Sequence, residues 1–159
     1  MTPGTWLVLA AIVAAAVLLC SSDRQPRAKT GHIHGGTRQV MATHEAGHVV
    51  AARALGATVK SARIVGAEPG VDWSGSRGNT PEQIATDVIT FMHAGRVAAG
   101  TGRGCSGDQK AIREQLSYVP AKDRARVRRT ALAQAERIVS SRRGEIRRVA
   151  RQLNERGRL

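Results

Sequence analysis

The sequence predicts a mainly α-helical domain with a small β-hairpin, preceded by one N-terminal transmembrane helix. Three observations carry that reading. Aromatic residues make up only 3 % of the chain, so a core must be assembled from Val, Ile, Leu and Ala, which favours packed helices over a β-sandwich. Downstream of Thr37, apolar residues recur mostly at helical rather than alternating spacing. Upstream, one run is apolar without interruption. With 159 residues, 42 % of them hydrophobic, the chain has room for one small domain and one short extra element, not for two independent cores.

The uninterrupted run is Trp6 to Cys20, WLVLAAIVAAAVLLC, and with Thr5, Ser21 and Ser22 it reaches the minimum of about 17 residues for a membrane span. A cleaved signal peptide fits less well, because MTPGT carries no Lys or Arg and no A-x-A site follows the run. VLLC also lacks the small residue expected before a lipoprotein cysteine. Arg24, Arg27, Lys29 and Arg38 all follow the run, so the positive-inside rule puts the domain in the cytoplasm. Residues 1–22 are therefore expected to be a single-pass anchor in the cytoplasmic membrane. Residues 23–37 are polar and aperiodic and read as a linker, in which His32 and His34 are ordinary polar residues. The two cysteines, Cys20 in the apolar run and Cys105 in a Gly-rich stretch, are not placed to form a mutual disulfide.

Residues 38–159 read as the folded domain. A helix from Val40 to Leu55 ends at Gly56, a residue type that accepts the left-handed conformation a helix stop needs. Ala57 to Val65, a Glu68-Pro69-Gly70 turn and Val71 to Ser74 read as a β-hairpin. Thr80-Pro81-Glu82-Gln83 is a helix start with a capping box, followed by apolar residues at helical spacing through Phe91, Gly95 and Ala99. After GTGRGCSG, Ser106 and Gln109 form a second box that opens a helix from about Gly107 to Tyr118 and puts Asp108 in its first turn. Beyond Pro120, Val127, Ala131, Ala135 and Ile138, then Ile146, Val149, Ala150 and Leu153, mark amphipathic helices whose other face is mostly arginine.

Chemistry is concentrated in HEAGH, residues 44–48. On a helix, His44 and His48 lie one turn apart on one face, so both imidazoles can reach a single Zn²⁺. Glu45 is placed to hold a zinc-bound water, take its proton and pass it to a leaving amine. Zinc also needs a third protein ligand, and the extended HExxHxxGxxH pattern fails because Ala51 and Ala54 stand at its Gly and His positions. Glu68, Asp72, Asp87, His93 and Asp108 remain as candidates. Asp108 stands out, since it follows a Gly-rich loop and begins a helix whose dipole favours a carboxylate.

The motifs together resemble the peptidase domain of the FtsH-type membrane proteases. HEAGHVVAARALG is similar to their zinc helix, ITFMHAGRVAAGTGRGCSGDQKAI to their glycine-arginine helix, loop and Asp, and the tail from Ile138 to Leu159 to their final helices. The resemblance runs from about Arg38 to the C-terminus. It implies a zinc metalloendopeptidase with His44, His48 and Asp108 as ligands and Glu45 as catalytic base. Three features depart from the family: no GxxxxGK[ST] phosphate loop occurs, Ala98 and Ala99 replace acidic residues, and Gly107 stands where an Asn is usual. Substrates are accordingly expected to be unfolded or flexible proteins and peptides, with a separate ATPase or a homo-oligomer as further partners.

The formal net charge is +13, which points to an anionic neighbour. Between Lys122 and Arg158 thirteen Lys or Arg face four Asp or Glu. With an apolar run upstream and few aromatics for stacking, the membrane surface is the expected neighbour rather than nucleic acid. Two other functional classes compete with the enzyme: a silent module that keeps the fold, and a basic adaptor for lipid or nucleic acid.

Overall fold

The computed structural model describes residues 38–65, 70–78, 80–100 and 106–159. The apolar run, the linker with His32 and His34, Glu68 and both cysteines lie outside them. Within them the chain forms five helices and one two-stranded antiparallel sheet, as the composition and periodicity predict. No helix among the described residues is long and apolar enough to cross a membrane.

Helix α1, Arg38–Ala54, is the central element, buried almost continuously from His44 to Ala52. Such burial needs small side chains where neighbours approach, and Gly47 meets that need. A Cβ added there would lie 2.6 Å from the Ala94 carbonyl oxygen and 2.7 Å from the Ala98 Cβ. That contact presses α1 against helix α2, Pro81–Ala99. Helix α1 stops where the sequence says it should: Gly56 has φ +78°, and the Ala57 N–H donates to the Ala52 carbonyl at 2.9 Å.

Strands β1, Thr58–Arg63, and β2, Gly70–Ser74, pair with Ala62 opposite Val71 and Val59 opposite Trp73, with a register shift between Val59 and Ser61. Ala62 and Val71 turn inward to the core. The inner end of the sheet reaches the helices through aromatic contact, the Trp73 and Phe91 rings lying 4.7 Å apart.

Helix α2 begins with the expected box. Thr80 Oγ1 accepts from the Gln83 N–H at 3.2 Å, and Gln83 Oε1 accepts from the Thr80 N–H at 3.2 Å, with Pro81 in the first turn. Helix α3 spans Ser106–Ser117. Asp108 sits in its first turn, as expected. Helices α4, Ala121–Ser141, and α5, Arg143–Arg156, follow. Helix α4 packs on α2 through Val127, Ala131 and Ala135, and α5 packs on α1 through Ile146, Val149, Ala150 and Leu153. The chain then returns to the hairpin: the Ile64 N–H donates to the Gly157 carbonyl at 2.9 Å and the Leu159 N–H to the Ala62 carbonyl at 2.8 Å.

Thr80→Ala removes one half of the capping box and should lower stability by about 1 kcal/mol. The measurement is the denaturant midpoint at unchanged slope, and Thr80→Ser should restore it. An unmoved midpoint in Thr80→Ala would show that Pro81 and packing alone set this helix start.

Candidate metal centre

His44 and His48 emerge from one face of α1, their rings 4.7 Å apart and nearly perpendicular at 79°. Their Nε2 atoms stand 3.0 Å from each other. Asp108, brought in by the first turn of α3, puts Oδ2 3.2 Å from His44 Nε2 and 3.6 Å from His48 Nε2. All three side chains are buried. A tetrahedral ion bound at about 2.0–2.1 Å separates its ligand atoms by about 3.3 Å, so the triangle has the dimensions of one face of such a site. His44, His48 and Asp108 form the one group of its kind among the described residues that could hold a metal ion.

The lone pairs are aimed as well as close. His48 Nδ1 lies 2.8 Å from the Phe91 carbonyl oxygen, and a carbonyl only accepts, so Nδ1 carries a hydrogen and Nε2 of the neutral ring turns its lone pair to the centre. The Phe91 ring also backs the His48 ring at 4.6 Å. Gly95 on α2 leaves room for both imidazoles. A Cβ there would lie 2.4 Å from His48 Nε2 and 2.8 Å from His44 Nε2. Among the described residues no donor other than the two imidazoles reaches the buried Asp108 carboxylate, a condition that a cation would relieve.

Electrostatics agree with the geometry. Burial works against charge on Asp108, but His48 and His44 together, by charge and by hydrogen bonding, hold the carboxyl well below the usual range. Burial alone would lower His48, yet Asp108, by charge and hydrogen bond, with Glu45 and the Phe91 carbonyl, lifts it to about 9. Glu45, next to His44 and likewise buried, is pushed up chiefly by burial, with His48 and His44 opposing. Its Oε2 has no hydrogen-bond partner.

Asp72, Asp87 and His93 lie outside the cluster. Asp72 is exposed on β2, and Asp87 accepts a hydrogen bond from Ser76 Oγ at 2.6 Å. Glu68 lies outside the described residues. His93 is buried but outside the cluster, and burial, with Arg96 and Arg128 nearby, pushes it down to about 4. Two contributors escaped the sequence reading. The Phe91 carbonyl is a backbone atom with no residue signature, and Gly95 looked like one more apolar-face position although its missing side chain is what admits the imidazoles.

No protein-family model matches the chain, and no curated protein matches it.

Gly95→Ala should keep the helical content while lowering metal affinity by about ten- to a hundredfold, because an imidazole must move aside. Retained affinity would show that the rings have slack. A pH dependence follows too. Below about pH 9 a metal must displace the His48 proton, so apparent affinity should rise about tenfold per unit and then level off, with one proton released per ion. In chelator-treated protein the raised His48 pKa contributes stability that is complete below 6.5 and lost as pH rises through about 9. The lowered Asp108 pKa contributes stability complete above 3.8 and lost as pH falls. Calorimetry across pH, with and without metal, reads both effects.

Proposed function

We propose that this chain is a membrane-anchored zinc metalloendopeptidase of the FtsH-like kind, acting on unfolded or flexible protein segments. The observation that carries the reading is the buried triangle of His44 Nε2, His48 Nε2 and Asp108 Oδ2 with the Glu45 carboxylate beside it. Two imidazoles and one carboxylate suit zinc, and three protein ligands are the number found where zinc does chemistry. When bound, zinc lowers the pKa of a coordinated water to about 7 and polarises a carbonyl.

The chain's own groups supply the rest. His44, His48 and Asp108 hold the ion, and the Phe91 carbonyl and Gly95 fix the imidazoles. Glu45 handles the proton. Hydrolysis forms a C–O bond and breaks the peptide C–N bond, and the proton that water loses has to reach the departing nitrogen. A carboxylate whose pKa is raised by burial is suited to take that proton and give it up again. The preference for flexible substrates rests on the absence of a phosphate-binding loop in this sequence. The membrane assignment rests on Trp6 to Cys20 with the basic residues after it.

One observation favours a second reading, a metal-holding module without turnover. The ligands and Glu45 are 0–4 % exposed, whereas a working zinc needs an open position.

Metal analysis and a flexible-peptide cleavage assay on the full chain separate the two. The expected results are about one zinc per chain, loss of zinc in Asp108→Ala, and retained zinc with abolished cleavage in Glu45→Gln. Zinc without cleavage in the unaltered protein would establish the silent module. Undiminished cleavage by Glu45→Gln would remove the proposed base.

A further inference from the structure

The described surface has three exposed large hydrophobic residues, Val65, Tyr118 and Leu159, and two of them meet at one corner. The Val65 side chain lies over Gly157, where an added Cβ would come within 2.8 Å of Val65 Cγ2. The Leu159 N–H bonds to the Ala62 carbonyl, which holds the tail against β1. Two solvent-exposed aliphatic side chains are thereby fixed on ordered backbone.

Arginines surround them. Arg158 stands opposite Arg63 in an antiparallel bridge, and residues directly opposed across such a bridge project to the same side, where like charges destabilise each other. Arg156 and Arg158 line an open concavity with Gln152 and Leu159. Neither has an ion-pair partner among the described residues, although other arginines of the domain, such as Arg126 and Arg142, do. From Arg151 to Leu159 the only acidic side chain is Glu155. Apolar side chains set beside Arg156 and Arg158 match the boundary between lipid headgroups and acyl chains.

The attachment of the N-terminal segment lies at the same end. Arg38 Nε donates to the Asn154 carbonyl at 2.9 Å, so the chain joins the domain beside the last turn of α5, next to Arg156. The apolar run Trp6–Cys20 is connected through that point. The described chain thus begins beside this corner.

We infer that the corner formed by Val65, Arg63, Arg156, Arg158 and Leu159 docks onto anionic lipid headgroups, with Val65 and Leu159 entering the headgroup layer. The inference rests on the proposed membrane attachment but not on the metal centre. Aliphatic rather than aromatic side chains between the arginines argue for lipid over nucleic acid, which would need stacking surfaces. Each arginine near such a surface strengthens docking by about fivefold.

The test uses the full chain with Cys20→Ser and Cys105→Ser, labelled with a polarity-sensitive fluorophore at Val65→Cys, and a second sample labelled at Tyr118→Cys. Flotation with vesicles of phosphatidylcholine alone, or mixed with phosphatidylglycerol, reports attachment, and the emission wavelength reports docking. The expected result is a blue shift at position 65 on the anionic vesicles, little on neutral ones and none at position 118. Arg156→Gln with Arg158→Gln should reduce the docking equilibrium constant by about thirtyfold, and Lys at both positions should restore it. Flotation with no shift at position 65 would overturn the docking while leaving attachment intact. Absence of flotation with either vesicle, an equal shift on neutral vesicles, an equal shift at position 118, or a shift produced instead by a soluble oligonucleotide would each overturn the lipid assignment. None of these readouts depends on zinc or on cleavage, so failure here is distinct from failure of the peptidase reading.

Discussion

Two imidazole nitrogens and a carboxylate oxygen that converge within 3.6 Å inside a protein favour a cation between them. His44, His48 and Asp108 meet this condition away from water, where uncompensated acceptors repel and lose their hydration. A proton satisfies it partly, which is why His48 is held protonated far above its ordinary range while Asp108 is held ionised far below its own. A divalent ion satisfies it fully. Much of the packing nearby can be read as the means of keeping this arrangement from collapsing: Gly95 gives the rings room, the Phe91 carbonyl sets one tautomer, and the Phe91 and Trp73 rings brace His48 from behind.

The same requirement explains why α1 is central. A helix that presents two imidazoles and a carboxylate to the interior needs cover on nearly every side, and α2, α5 and the hairpin supply it. Close approach is possible because the contact residues are small. Gly47 meets Ala94 and Ala98 at distances that no side chain would allow. Ala98 stands where the resemblance leads one to expect an acidic residue. The structure gives its Cβ a packing role against Gly47, so the loss of a charge here coincides with a tight helix–helix contact.

Much of this architecture was legible because it is written in local chemistry. The Thr80–Gln83 box, the stop at Gly56 and the apolar spacing in α4 and α5 each depend on neighbours along the chain, and each appears where expected. The pairing of His44 with His48 is equally local, being one helical turn. Asp108 is different: sixty positions separate it from His48, and what singled it out was its place after a Gly-rich loop at a helix start, together with the resemblance. The Phe91 carbonyl and the vacancy at Gly95 were not legible at all, since a backbone acceptor has no letter and an absent side chain has many explanations. The return of residues 157–159 to β1 was missed for a related reason, because three residues at a chain end are too short to show a strand period.

That short return changes the meaning of the arginine-rich tail. On α5, Arg143, Arg147 and Arg151 repeat every fourth residue, and like charges at that spacing weaken a helix by a few tenths of a kcal/mol per pair. The helix is therefore held by its inner face, Ile146, Val149, Ala150 and Leu153, packed on α1. A face that served only solubility would gain from interspersed carboxylates, as Glu82 and Asp123 provide for Arg126 on the other side of the domain. Here the carboxylates are sparse, and the sheet bridge sets Arg158 against Arg63. Because the tail is tied down on both sides of this pair, by Gly157 to Ile64 and by Leu159 to Ala62, the two guanidinium groups cannot relax apart by moving the backbone. The charge at this corner is thus carried on backbone that is tied down on both sides.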